Sequence, residues 1–363
     1  MEYVKLEDVC EILDSQRIPI TASERKSGEY PYYGANGIQD YVEDYIFDDD
    51  LVLLAEDGGN FGSKDRPIAY RVSGKCWVNN HAHVLKPKVC IDVDYLCYSL
   101  MFYDTTGLVN GATRQKLTQA AMRQMQIPLV DIESQKSIVN ELNFVANLIN
   151  KRKQQLEKLD ELVKARFVEL FGDCKNMVAM NDLCSIITDG THQPPKFQSE
   201  GIPFIFVSNL ANNTVTYNAE KFISEETYNE LIKRTPIEVG DILLTTVGSY
   251  GHPAVVMEER KFLFQRHIAY LKPKHDLVNS FYLHSALLAP DGQRQIEEKV
   301  KGIAQKTLNL SEIRKIMIPI PSIEEQNAFE LFIKQTDKSK LSVQKSLEEL
   351  ELLKKALMQK YFG

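Results

Sequence analysis

Four groupings of side chains in this sequence have the composition of a working site. Pro290-Asp291 followed by Glu297-Glu298-Lys299 spells PD…ExK, a pattern in which carboxylates hold Mg²⁺ and a lysine stabilises developing charge. The pattern is short and common by chance, falls where a loop reads as running into a helix, and is missing from the first half of the chain, so a solvated charged helix competes with it. His81 and His83, in Asn79-Asn80-His81-Ala82-His83, would share one side of a strand and could pair on a metal. No third ligand stands nearby, which favours a structural or DNA-facing role. Tyr30, Tyr32 and Tyr33 beside Asn36, and Tyr250 beside His252, combine aromatic and amide groups that pack on sugars and read base edges, unless they are ordinary core or surface tyrosines. Finally, Asp57-Gly58-Gly59-Asn60-Phe61-Gly62 and Val247-Gly248-Ser249-Tyr250-Gly251 are glycine-rich loops that each follow a β-rich run. Neither matches GxGxxG or GxxxxGKS, so nucleotide binding is unsupported. The sequence also lacks NPPY-like or DPPY-like amino-methyltransferase motifs, HExxH and GxSxG, which removes common routes to catalysis.

The elements that must position these residues come in two copies. Residues 111–172 reappear at 302–363 with a constant offset of 191, carrying Gly111, Leu117, Arg123, Ile127-Pro128, Glu133, Gln135, Leu159 and Phe171-Gly172 onto Gly302, Leu308, Arg314, Ile318-Pro319, Glu324, Gln326, Leu350 and Phe362-Gly363. Upstream the match weakens and its offset drifts, to 186 for His81 against His267 and 174 for Cys10 against Cys184. The bodies have thus diverged while the tails have not, as expected if the bodies meet different targets and the tails the same partner. Gly363 corresponds to the point where the first half hands over to the second, so a pseudo-twofold ring with adjacent termini is expected.

Each repeated tail opens at an Ile-Pro pair and continues without glycine or proline from Ser134 to Phe171, a single long helix. Ile138, Leu142, Val145, Ile149, Arg152, Leu156, Leu159, Val163, Arg166 and Leu170 step by four and three, a heptad seam. The second copy, Phe329, Ile333, Thr336, Lys340, Val343, Leu347, Leu350, Lys354, Leu357 and Tyr361, is interrupted by polar residues. So narrow a seam is marginal alone, so the two helices should pair, antiparallel under pseudo-twofold symmetry. At 1.5 Å per residue each would be ~55 to 60 Å long and would act as a ruler between two bodies. The bodies alternate β-rich runs (Leu51–Ala55, Ile68–Val72, Phe204–Val207, Ile242–Val247) with Gly and Asn turns and short helices near Tyr95–Tyr103 and Ser280–Leu288. The expected fold class is α+β: two mixed α/β domains, 1–130 and 173–321, joined by long helices over 131–172 and 322–363 that form an antiparallel coiled coil.

Composition narrows the class further. The 363 residues are 44% hydrophobic and 26% charged, ordinary for a globular chain too long for one core. There is no run of eighteen apolar residues, and MEYVKLEDVC resembles no secretion signal, so a cytoplasmic location without membrane contact is expected. Six scattered cysteines without a CxxC pair read as reduced, mostly buried thiols. The net charge of −7 argues against nucleic acid, yet it is uneven: residues 1–130 carry −6, residues 301–363 carry +3, and 105–130 hold Arg114, Lys116 and Arg123 with no carboxylate. A basic face on an acidic body remains open.

Ile127-Pro-Leu-Val-Asp-Ile-Glu-Ser-Gln135, Leu159-Asp-Glu-Leu-Val-Lys-Ala-Arg-Phe167, Leu170-Phe-Gly172 and Ile318-Pro-Ile-Pro-Ser-Ile-Glu-Glu-Gln326, with Tyr32-Tyr-Gly-Ala-Asn-Gly37 and Gly111-Ala-Thr-Arg-Gln-Lys-Leu117, resemble the conserved regions of type I restriction-modification specificity (S) subunits. The resemblance spans the whole chain in the order body, helix, body, helix. Val130 stands where the second copy has Pro321, and the second seam is broken, so helix pairing is less well supported than the family. The resemblance implies two target recognition domains reading a bipartite, asymmetric sequence in double-stranded DNA, and a helix pair that sets the gap and docks two modification (methyltransferase) subunits. Restriction (translocase/endonuclease) subunits would complete the complex. It also implies a non-catalytic chain binding no cofactor, with S-adenosylmethionine, ATP and Mg²⁺ on partner subunits.

By loop position and chemistry, the candidate DNA-binding residues are Asn36, Asn60, Lys64, Arg66, Asn80 and His81 in the first body, and Thr191, His192, Asn209, Ser249, Tyr250, Arg266 and His267 in the second. Arg114, Lys116 and Lys306 are candidates for phosphate contacts, which position a protein without reading sequence. Two rival readings are a self-sufficient metal-dependent nuclease using Asp291, Glu297 and Lys299, and a purely structural adaptor without DNA affinity.

Overall fold

The computed structural model describes residues 2–111, 114–302 and 306–363. It divides into two compact units: unit 1 is Met1–Arg152 with Ser346–Gly363, and unit 2 is Lys153–Lys345.

Unit 1 runs through β1 (Glu2–Lys5), α1 (Leu6–Val9), β2 (Cys10–Ile12), β3 (Ser27–Gly34), β4 (Gly37–Val42), β5 (Phe47–Ala55), β6 (Ala69–Val78) and β7 (Ala82–Pro87). It continues through α2 (Val93–Met101), β8 (Val109–Asn110), β9 (Lys116–Leu117), α3 (Gln119–Arg123) and β10 (Gln126–Leu129) into α4 (Ile132–Phe171). Six strands form one sheet in the order β2-β7-β5-β6-β3-β4, with β3 and β6 parallel and the other pairs antiparallel. The centre is β5, whose two halves differ for a sequence reason. Leu51 to Ala55 are buried without alternation, as a strand covered on both faces requires. Ahead of them, Asp49 meets Lys86 at 2.7 Å and Asp50 meets Arg71 at 2.9 Å, so the local run of acid is neutralised by neighbouring strands.

Unit 2 contains β11 (Met177–Ala179), α5 (Met180–Leu183), β12 (Cys184–Asp189), β13 (Ile202–Ile205), β14 (Phe222–Ile223), α6 (Glu225–Leu231), β15 (Ile242–Thr245), β16 (Pro253–Val255), β17 (Leu263–Phe264) and β18 (Ile268–Pro273). Then come α7 (Ser280–Leu288), α8 (Pro290–Lys299), α9 (Leu310–Ile313), β19 (Met317–Pro319) and α10 (Ile323–Phe362). Its sheet is split into four strands, β12-β18-β15-β16, and three, β14-β13-β17. The two bodies thus diverge mainly between β12 and β15. There Phe197, Phe204 and Phe206 build a separate small core on Ile202, Ile223 and Leu263.

Each unit owns one stretch of both long helices. In unit 1, Glu141 accepts from the Tyr361 hydroxyl at 2.6 Å and Arg152 donates to Ser346 at 3.1 Å. In unit 2, Lys340 pairs with Asp160 at 2.7 Å and the rings of Phe167 and Phe329 lie 5.6 Å apart. Within each unit, then, residue number rises along one helix as it falls along the other, and the pairing is antiparallel. All ten seam positions of α10 are buried or half-buried, including the polar ones: Thr336 bonds the Phe332 carbonyl at 3.0 Å and Lys340 takes Asp160. The seam expected for α4 holds through Arg166 and fails at its last position, leaving Leu170 46% exposed while Phe167 and Phe171 are buried. Phe167 and Phe171 join Tyr282 and Phe329 at centroid distances of 5.0 to 5.6 Å, and aromatic burial there outweighs strict heptad spacing.

The repeated segments build the same frame twice. Gln135 is fully buried, its oxygen accepting from Asp92 N–H at 2.8 Å and its amide donating to the carbonyls of Cys90 at 3.0 Å and Val130 at 2.8 Å. Gln326 does the same with Asn279 N–H at 2.9 Å and the carbonyls of Leu277 at 3.2 Å and Pro321 at 3.1 Å. In each case the glutamine ties the start of a long helix to the N-cap of a short one, α2 or α7. Tyr95 donates to the Pro128 carbonyl at 3.0 Å and packs on Phe362 at 5.1 Å; Tyr282 donates to the Pro319 carbonyl at 2.6 Å and packs on Phe171 at 5.0 Å. Since β1 pairs with β10 beside Tyr95, the N-terminal strand and the C-terminal helix end meet at one place in unit 1, as the repeat arithmetic requires. The cysteines are free; Cys10, Cys76, Cys97 and Cys184 are buried, where loss of hydration raises their thiol pKa to about 12, while Cys90 is exposed.

Candidate nucleic-acid interface

In both units the loop after the central strand folds against the repeated segment. Leu117 N–H donates to the Glu56 carbonyl at 2.7 Å and Gly58 N–H to the Gln115 carbonyl at 3.1 Å; the matching bonds are Leu308 to Thr246 at 2.8 Å and Gly248 to Lys306 at 3.3 Å. Gly58 and Gly248 have φ of 63° and 73°, the left-handed region that a residue without a Cβ enters cheaply. This explains glycine there without any nucleotide. Of the motif Gly111–Leu117, Ala112 and Thr113 lie outside the described residues.

On this frame unit 1 displays alternating charge. Asp57 lies 2.6 Å from His81 Nδ1 and 3.0 Å from Arg114 Nη2. Glu56 holds Lys116 at 3.0 Å and Arg17 at 2.6 Å. Burial pushes the Glu56 carboxyl up, but the bonds from Arg17 and Lys116 reverse this and hold it below the usual range. Asn36 and Asn80 are exposed, Asn36 donating to the Gly58 carbonyl at 3.0 Å, and Asn60 donates to the Pro67 carbonyl at 3.4 Å. Lys64 and Arg66 project from the same loop into solvent and pair with no carboxylate among the described residues.

His81 and His83 do not act together. His81 precedes β7 and turns to Asp57, while His83 is completely buried, with Nδ1 2.6 Å from Asp14 and Nε2 2.9 Å from the Leu117 carbonyl. Asp14, Glu56 and His83 bring ligand atoms within 4.8 Å of one another, a spacing that a cation would suit. Arg17 already supplies that charge, 2.6 Å from Glu56 and 3.6 Å from Asp14, and both His83 nitrogens are engaged. The group is an internal brace. Burial raises the Asp14 carboxyl, yet His83, Val84 N–H and Gln119 overcome this and lower its pKa.

In unit 2 an open cleft of about 280 Å³ is lined by Asp189, Thr246, Arg266, His267 and Asn309, among others. Arg266 is exposed, its Nε 3.3 Å from His267 Nε2, and burial followed by the Arg266 charge lowers the His267 pKa. Thr191 N–H donates to the Phe264 carbonyl at 2.9 Å and its own carbonyl accepts from Arg266 N–H at 3.1 Å, so Thr191 holds the backbone of Arg266. His192 and Arg234 share Asp189, at 2.8 and 2.5 Å. Ser249 is exposed at the loop tip, and the Tyr250 hydroxyl donates to Glu297, which also holds Lys306 at 3.0 Å.

Two sequence readings need correction. Asn209 is buried, and its amide is spent on Phe206 N–H at 3.0 Å, the Asn218 carbonyl at 3.2 Å and Thr216 at 3.4 Å, so it shapes its own loop and has nothing left for a base. The PD…ExK residues lie on one helix, α8, with Asp291 and Glu297 six positions apart and therefore on different faces. Asp291 bonds Arg294 and Gln295, Glu297 bonds Tyr250 and Lys306, and no shared metal cage forms among these residues. Residues missed from sequence are Arg17, Asp57, Asp189 and Arg234, whose partners lie 24 to 57 positions away except for local contacts. Only the acidic pair Glu56-Asp57 opening a glycine loop offered a signal.

A family model, described as the type I restriction modification DNA specificity domain, matches residues 1–158 and 174–352. S.HindORF215P of Haemophilus influenzae, which carries the name of a type I restriction enzyme specificity subunit, is 27% identical over 342 residues, 90% of this chain and 85% of its own length. Among solved structures, a chain from work on complex assembly and conformational transition of the type I R-M system superposes with a TM-score of 0.58 at 17% identity, covering 99% of this chain and 97% of that one. The type I restriction-modification S subunit of M. genitalium gives 0.53 at 13% identity, covering 100% and 96%. Those two likenesses establish the fold. With the model matching both repeats and nearly the whole sequence, the chain belongs to the family of type I restriction-modification DNA specificity domains.

Proposed function

We propose that the two units read the two halves of a split, asymmetric DNA target, and that α4 and α10 set the gap between the halves and dock modification subunits, with restriction subunits completing the complex. The observation that carries this reading is one repeated frame bearing two unlike faces. At matching positions around the loop, unit 1 presents Asp57, His81 and Lys116, and unit 2 presents Val247, His267 and Thr307. Identical faces would read identical half-sites; unlike ones read an asymmetric address. Phe144, Leu331, Leu341 and Leu352 on the long helices are 58 to 70% exposed, apolar area suited to a partner protein. Under this reading the chain does no chemistry, and S-adenosylmethionine, ATP and Mg²⁺ act on the partner subunits within the cytoplasm. No helix among the described residues is long and apolar enough to cross a membrane. Coexpression with the cognate modification subunit, followed by mapping of methylated bases, should return two different half-sites at fixed spacing. One undivided or palindromic site would refute the proposal.

A further inference from the structure

We infer that Arg114 in unit 1 and Arg234 in unit 2 are base-reading residues, each aimed at a guanine edge by a carboxylate that it shares with a histidine. The inference rests on the reading of the units as DNA-recognition bodies and goes beyond it by naming contacts and a base. In unit 1, Arg114 Nη2 lies 3.0 Å from Asp57 Oδ1 and 3.3 Å from His81 Nδ1, and His81 lies 2.6 Å from the same oxygen. In unit 2, Arg234 Nη2 lies 2.5 Å from Asp189 Oδ1 and 3.4 Å from His192 Nε2, and His192 lies 2.8 Å from Asp189 Oδ2. The arginines stand out, 59% and 53% exposed, over aspartates that are 19% and 17% exposed.

These groupings are not copies made by the repeat. At its offset, the sequence partner of Arg114 is Gln305, and the loop residue matching Asp57 is Val247. Unit 2 instead assembles its version from the end of β12, the loop after it and the turn after α6. The same three chemistries, an arginine and a histidine on one carboxylate, thus arise twice from positions that the repeat does not match, through one aspartate oxygen in unit 1 and through both in unit 2.

The electrostatics favour a base over a phosphate. A carboxylate behind the guanidinium cancels most of its net charge and repels a phosphate, but it leaves at least three of the five N–H donors free and fixes their plane. Guanine offers two neutral acceptors, O6 and N7, to such a fork. In unit 1 the side chain also lies along Gly58, where a Cβ would stand 3.3 Å from Arg114 Nε, so its orientation is further confined. Lys64 and Arg66, without a paired carboxylate among the described residues, have the opposite design and suit phosphate.

The test uses the assembled complex with its modification subunits and a randomised duplex library, with sequence preference read position by position at several salt concentrations. Arg114→Lys and Arg234→Lys keep charge but lose the fork. Each is expected to lose discrimination for one G·C pair, on the order of 10- to 100-fold, in a single half-site, with the other half-site unchanged as an internal check of folding. Asp57→Asn should weaken preference at the same pair as Arg114→Lys, which a merely structural role would not do. A uniform loss over all sequences, with the salt slope reduced by about one, would mean phosphate contact and overturn the inference. Unchanged preference at every position would overturn it as well. Both results leave DNA recognition by the units standing; a wild-type complex that selects no sequence would overturn that reading and this inference together.

Discussion

Replacing Gln135 by Met isolates the clamp that fixes α4 to α2. Methionine matches the side-chain length and removes every polar atom, leaving Asp92 N–H without its acceptor and the Cys90 and Val130 carbonyls without the amide donor. A buried donor left unsatisfied costs about 1 to 3 kcal/mol, and each carbonyl adds roughly 0.5 to 1 because a second lone pair can find other contacts. Burying the thioether in place of an amide returns about 1 to 1.5 kcal/mol. The net expectation is a loss of about 2 kcal/mol, within a span of roughly 0.5 to 4, and the central value corresponds to roughly 4 to 8 °C in Tm for a unit of this size. Trp77, the only tryptophan, lies in unit 1 with its indole N–H on the Ile18 carbonyl at 2.6 Å, so its emission during urea unfolding reports that unit. Glu133→Ala, an exposed change two residues away whose surface pair with Lys136 is worth little, should move the midpoint by less than about 0.5 kcal/mol. If Gln135→Met behaves like this control, the buried amide does not hold the frame and the structural account of the repeat fails.

Other perturbations separate the remaining parts. Arg266→Ala should relax or abolish recognition at one half-site, by ~1 to 3 kcal/mol if the side chain makes a bidentate base contact; unchanged methylation there removes Arg266 from the interface. Seven residues inserted at matched levels in α4 and α10 add about 10 Å of helix and should lengthen the gap between half-sites, whereas the same gap would refute the spacer. Asp14→Asn should cost about 2 to 3 kcal/mol near neutral pH, where the charged hydrogen bonds of the brace are intact. Because the folded-state pKa of Asp14 lies below its unfolded value of 3.8, that contribution is full above this pH and is lost as pH falls through the folded pKa. Wild type and variant should therefore converge in acid, and a difference that persists once Asp14 itself is protonated in the folded protein would assign the loss to packing.

Much of the frame was legible because the repeat exposes it. The Ile-Pro entry, the Glu-x-Gln that follows and the closing Phe-Gly are short-range patterns, and each corresponds to a strand end, a clamp or a ring contact present twice. The α10 seam was legible despite Thr336 and Lys340 because each polar group finds a bond that the heptad spacing allows. The last turns of α4 were not, since Phe167 and Phe171 answer to Tyr282, more than a hundred residues away. The interface was least legible for the same reason. Asn209 looks like a base reader until its loop closes around it, and Arg234 looks like any helix-end cation until Asp189 meets it.

This distribution has an energetic cause. The clamps are buried, and losing one costs a large share of the ~5 to 15 kcal/mol by which a domain is stable, so changes there are poorly tolerated. Exposed loop residues cost within about 0.5 kcal/mol when exchanged, so the faces can change while the frame stays. A chain of net charge −7 can still meet DNA on such faces, because Lys306 is held by an exposed pair worth ~0 to 1 kcal/mol, which a phosphate can displace. Arg114 and Arg234 differ from Lys306 in having a less exposed carboxylate behind them, which a phosphate would have to oppose rather than replace. The acidic balance that seemed to argue against nucleic acid then takes on a role: it weakens indiscriminate attraction to the backbone and leaves more of the binding to the groups that can tell one base pair from another.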